Sequence, residues 1–130
     1  MNIMRNIRRF AAALGLALLA TAAQAGETPY SKAAFDAAIA QGKPVIVDFS
    51  ADWCPTCKAQ KPIVESLLKG DKLKDVTFLV ANYDTEADLK KQLRITQQST
   101  FVVFKGGKEV GRSTGQTDKD AIAALFNKAL

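Results

Sequence analysis

The chain of 130 residues is 48% hydrophobic and 24% charged, carries a formal +5, and contains two cysteines and no histidine. That length and apolar content suit one compact domain with one core and exclude two. Three of the eighteen cationic residues are Arg5, Arg8 and Arg9, so residues 26–130 hold fifteen cations against thirteen acids, interleaved rather than clustered, and no nucleic-acid signature remains.

The first predicted element is a leader. A basic opening is followed by the apolar run Phe10 to Ala20 and by Ala23-Gln24-Ala25, the pattern of a secretory signal peptide. The run is too short to cross a bilayer, which takes roughly 20 residues. The expectation is therefore export with cleavage after Ala25, a mature domain over 26–130 with no membrane anchor, and a periplasmic location.

Ser31 to Ala40 places Ala34, Phe35, Ala38 and Ile39 on one helical stripe that stops at Gly42 and Pro44. Pro44 to Ser50 is β-branched and nearly continuously apolar, as in a central strand covered on both faces. A second helix is predicted from Cys54 to about Lys69, turning Ile63, Val64, Leu67 and Leu68 inward and kinked at Pro62. Val76 to Ala81 reads as a strand, Glu86 to Leu93 as a short helix and Phe101 to Phe104 as a strand. Lys105-Gly106-Gly107-Lys108 makes a tight hairpin turn to a strand over Glu109 to Ser113, and Thr117 with Asp120 caps a last helix to Leu130. Alternating strands and helices followed by a hairpin define an α/β domain with a mixed sheet covered on both faces. In such sheets chemistry gathers beyond the carboxyl ends of the parallel strands, which is where Cys54 falls.

The two cysteines stand three apart in Trp53-Cys54-Pro55-Thr56-Cys57. As a staple they would close a loop worth only about 2 kcal/mol, against roughly 4.7 for a 100-residue loop. As a zinc site they lack two of the four ligands needed, unless a second chain, Asp48 or Asp52 completes the set. As a reaction centre each residue has a purpose. With Cys54 at the N-cap, Pro55 occupies the first helical position, and the free N–H groups of Thr56 and Cys57 face the Cys54 sulfur and favour its thiolate. Cys54 is the expected nucleophile. Cys57, three residues on, can attack a mixed disulfide on Cys54 and is the expected resolving thiol.

The run Val47-Asp48-Phe49-Ser50-Ala51-Asp52-Trp53-Cys54-Pro55-Thr56-Cys57-Lys58, with Pro62, Phe101 to Gly107 and Gly115, resembles the thioredoxin-fold family, and most of all its exported, periplasmic thiol–disulfide oxidoreductases. The resemblance implies that Trp53 shields the thiol and helps dock partners, that Gln98 and Ser99 join that docking surface, and that Asp48 is the buried carboxylate accepting the proton of the resolving cysteine. Burial of a carboxylate in a covered strand independently raises its pKa toward neutrality. Lys58 reads as a solvated lysine of the first turn.

Four departures from the family pattern carry expectations of their own. Gly26 to Tyr30 is too short for the family's opening strand, which predicts a thioredoxin fold trimmed to a four-stranded mixed sheet flanked by helices. The lysine that pairs with the buried carboxylate in many members falls on Val80. The dipeptide between the cysteines is Pro-Thr. Ser99 stands in the place of the family's cis-proline, and a non-proline cis bond costs about 2.5–4 kcal/mol, so a trans bond is expected before it.

The function expected is dithiol–disulfide exchange by a Cys-Pro-Thr-Cys centre, with no cofactor and no metal, in a monomer acting on cysteine-containing exported proteins. The reducing direction is favoured because Thr56 cannot supply the cationic hydrogen bond of the histidine found between the cysteines of strong oxidants. A membrane thiol electron transporter would then be the electron source. The alternatives are a disulfide oxidase or isomerase, and a thioredoxin-like binding protein holding a metal or cluster between two chains.

Overall fold

The computed structural model describes Gly15 and residues 26–130, so the expected leader and its cleavage point lie, Gly15 aside, outside the described residues. Val45, Ile46, Val47 and Phe49 are wholly buried, because the strand they form, β2 (Val45–Ser50), runs through the centre of the sheet with helices on either side. Successive side chains of a strand point to opposite faces. Ile46 accordingly packs with Val64 and Leu68 of one helix and Ile122 and Phe126 of another, while Val45, Val47 and Phe49 pack with Phe35 and Leu89 beneath the sheet. Asp48 has the parity of Ile46 and lies on the first of these faces.

The elements follow the order β1 (Glu27–Pro29), α1 (Lys32–Ala40), β2, α2 (Pro55–Leu68), a single 3-10 turn at Asp71–Leu73, β3 (Thr77–Asn82), α3 (Ala87–Leu93), β4 (Thr100–Lys105), β5 (Lys108–Thr114) and α4 (Lys119–Asn127). In space the strands lie in the order β1-β3-β2-β4-β5, with β1 and β2 parallel to β3 and the β2–β4 and β4–β5 pairs antiparallel. The sheet thus has five strands, not four. Gly26 to Tyr30 suffices for a short edge strand because Glu27, Thr28 and Pro29 pair with Phe78, Leu79 and Val80, and the Tyr30 N–H extends the ladder to the Val80 carbonyl at 2.8 Å. Pro29 is tolerated there because an edge strand has N–H positions that face no neighbour.

The hairpin turn has Gly106 at φ 59° and Gly107 at φ 80°, the two positive angles that suit a two-residue loop between twisted strands. Val103 pairs with Gly111 and Phe104 with Glu109, so Val110 is one residue in excess and bulges β5. The cap of α4 also differs from expectation. Asp118, not Thr117, accepts the Ala121 N–H at 2.9 Å, while the Gln116 side-chain oxygen takes the N–H groups of Thr117 and Asp118. The helix ends at Asn127, short of Leu130. On the opposite face Ser31 caps α1, accepting the Ala34 N–H at 3.1 Å. Edge-on contacts between Phe101 and Phe126, with ring centres 5.0 Å apart, and between Phe35 and Phe104 at 5.5 Å fasten the two layers to β4.

Because β2 and β4 are antiparallel, the end of one meets the beginning of the other. Phe49 pairs with Thr100, and the Ser99 N–H donates to the Phe49 carbonyl at 2.8 Å. That register brings the loop before β4 against the start of α2.

Candidate redox site

Cys54 is the N-cap of α2, with φ −89° and ψ 113°, and Pro55 fills the first helical position. The Cys57 N–H donates to Cys54 Sγ at 3.1 Å. Both cysteines are unpaired thiols, 1% and 6% exposed. Burial pushes the Cys54 thiol up, but hydrogen bonds from Cys57, Ser99 and the backbone of Cys57 and Thr56 outweigh it and hold the pKa below the ordinary thiol value. At Cys57 burial and the side-chain bond to Cys54 raise the pKa, more than Ser99, the Ala51 backbone and Ser50 lower it. The pair is therefore polarised, with Cys54 ionising first.

Asp48 is 7% exposed, and its Oδ1 has no hydrogen-bond partner. Burial, with the charge of Glu27 as a lesser cause, raises its pKa to about 7. Asp48 and Cys57 line one cavity of about 300 Å³, closed on other sides by Glu27, Lys61 and Val80. Val80 is the direct register partner of Asp48, so the neighbouring strand offers that carboxylate no cation. Lys58 is exposed, as expected of a first-turn lysine, though it too borders the cavity.

Trp53 is 56% exposed beside the cysteines, and its Nε1–H donates to Asp84 Oδ2 at 2.8 Å. Gln98 is half-buried in the loop. Ser99 is 2% exposed, at φ 60°, with no cis peptide bond among the described residues. Its Oγ lies 3.0 Å from Cys54 Sγ and 3.0 Å from Cys57 Sγ. The six residues singled out in the sequence thus lie at one end of the molecule, around the start of α2.

Three residues of the site had not been singled out in the sequence. Gln60, 1% exposed, donates from Nε2 to the Gln116 carbonyl at 2.8 Å and lies 3.4 Å from the Ser99 carbonyl. It follows Cys57 by three positions and precedes Val64 by four, so a polar residue within the inward stripe of α2 was the available signal. Glu27 approaches the site only because β1 exists. Tyr83, which packs on Ala51, Cys54 and Cys57, is fixed by its hydroxyl donating to the Thr96 carbonyl at 3.0 Å.

Among the described residues no group of three or more His, Cys, Asp or Glu is placed to hold a metal ion. The arrangement offers instead a polarised thiol pair at a helix start, a desolvated carboxylate sharing a cavity with the inner thiol, and a flat aromatic rim. A sheet with helices on both faces and a Cys-x-x-Cys pair at the helix start past its central strand defines a thioredoxin-fold redox protein.

The thioredoxin family pattern matches residues 27–128, and the chain belongs to that family. Thioredoxin of Chlamydia trachomatis is 38% identical over 84 residues, 65% of this chain and 80% of that one. Human thioredoxin is 38% identical over 100 residues, 75% of this chain and 92% of that one. Among solved structures, Trxlp from Edwardsiella tarda superposes with a TM-score of 0.75 at 40% identity, covering 78% of this chain and 98% of that one.

Proposed function

We propose that the protein is an exported protein-disulfide reductase in which Cys54 is the nucleophile, Cys57 the resolving thiol and Asp48 the proton acceptor. The observation that carries this reading is the asymmetry of the pair: Cys54 Sγ accepts an N–H at the start of α2 while Cys57 stays protonated beside a carboxylate poised near neutrality. The Cys54 thiolate attacks a substrate disulfide, forming a mixed disulfide and releasing one substrate thiolate. Asp48 takes the Cys57 proton through the shared cavity, the Cys57 thiolate attacks Cys54 Sγ, and the second substrate thiolate leaves. Two electrons pass to the substrate, and the Cys54–Cys57 disulfide remains.

Trp53, next to Cys54 in the chain, and Gln98, next to Ser99, supply the surface on which cysteine-containing exported proteins dock. A dithiol of a membrane transporter returns the electrons. The reducing direction rests on Thr56, which brings no cation to the Cys54 thiolate. The test is insulin-disulfide reduction with single-cysteine variants: Cys54→Ala abolishes turnover, and Cys57→Ala accumulates mixed disulfides visible on non-reducing gels. Accumulation by Cys54→Ala instead would exchange the two roles, and an equilibrium with glutathione lying far toward the dithiol would make the protein an oxidase.

A further inference from the structure

Ser99 holds a conformation that only a minority of non-glycine residues adopt, with φ 60°. The fold maintains it through two main-chain partners and one side chain: its N–H donates to the Phe49 carbonyl at 2.8 Å, and its carbonyl accepts the Gly115 N–H at 2.9 Å and faces the side-chain Nε2 of Gln60 at 3.4 Å. The result is a hydroxyl, shut off from water, at 3.0 Å from both sulfurs. A serine hydroxyl has one proton to give and lone pairs to accept with. Cys54 already accepts the Cys57 N–H and ionises first, so the proton of Ser99 goes to Cys54 Sγ.

We propose that the Ser99 hydroxyl tunes the redox balance of the pair by holding its dithiol form, donating to the Cys54 thiolate. When the sulfurs join, the thiolate and thiol pass two electrons to the partner disulfide, Asp48 takes the Cys57 proton, and both substrate sulfurs leave as thiolates. The hydroxyl then faces a neutral disulfide, which accepts only weakly. Buried as it is, it gains no water in exchange. Ser99 thereby makes the protein a milder reductant than its helix start and Pro-Thr dipeptide alone would give.

This inference rests on the oxidoreductase reading, and one titration separates the two. The wild-type chain, Ser99→Ala and Ser99→Gly are equilibrated in glutathione buffers of graded ratio, and the reduced fraction is read by alkylation and mass spectrometry. Glycine removes the hydroxyl yet accepts the positive φ without strain, so it carries the comparison if the alanine variant fails to fold. Both variants should shift the equilibrium about tenfold toward the disulfide, about 30 mV for a two-electron couple. Thiolate absorbance of the reduced proteins at neutral pH should fall in parallel. Constants equal to wild type in either folded variant, or shifts of opposite sign in the two, would overturn the role of the hydroxyl. A wild-type chain that exchanges nothing with glutathione would instead overturn the oxidoreductase reading.

Discussion

At Asp48 a charge that the fold disfavours lies in the cavity shared with Cys57, where the proposed reaction collects a proton. Its carboxyl titrates near 3.8 when unfolded and at about 7 in the fold, so between these values the native state binds more protons than the unfolded one. Stability contributed by this group is fully present below the unfolded pKa, falls as pH rises through the window, and is lost above the folded pKa, a difference on the order of 4 kcal/mol. Asp48→Asn removes that slope. Denaturant midpoints of the variant should exceed those of wild type above neutrality and converge with them in acid, while release of substrate from the mixed disulfide slows. Equal midpoints at all pH values would make Asp48 an ordinary, solvated residue.

The placement of Cys54, Cys57 and Asp48 was legible because it is local: a helix start, a three-residue spacing, a strand parity. The position of Ser99 could be counted from the sequence, but its φ and its reach to both sulfurs depend on the β2–β4 register, which no local pattern encodes. The partnership of Gln60 with the Ser99 and Gln116 carbonyls likewise joins segments far apart in the chain.

Elements with a strong apolar period were predicted within a residue or two of where they lie, as α1, α2 and β2 show. β1 was missed because three exposed residues carry no period at all; its existence is decided by the unpaired edge of β3. The start of α4 was misplaced for a similar reason. Thr117, Asp118 and Asp120 are all competent caps by type, and the Gln116 side chain decides among them by holding the two preceding N–H groups. Asp118→Ala should cost about 1 kcal/mol of unfolding free energy, whereas Thr117→Ala should leave the urea midpoint unchanged. A larger loss at Thr117 would restore it as the cap.

For the molecule as a whole, the two packed faces leave one end of the sheet for chemistry, and everything the proposed reaction needs is gathered there. The export reading concerns residues 1–25 and is tested on the full chain. Expressed in a bacterium with an outer membrane, the protein released from the periplasm should have the intact mass of a chain beginning at Gly26. Recovery of the uncleaved mass from the cytoplasmic fraction alone would set export aside.

The five-stranded sheet also has two flanks. One is β1, three residues long and including Pro29, which lacks an N–H; the other is β5, bulged at Val110 and carrying Lys108, Glu109 and Arg112. Neither presents a long, flat row of free N–H and C=O groups on which a foreign strand can align. Cysteine-containing exported proteins, the proposed partners, would otherwise pair along its sides whenever they arrived as extended chains. Borders of this kind would leave the end that carries Cys54 as the place for such chains to engage in the proposed reaction, and would let them depart afterwards.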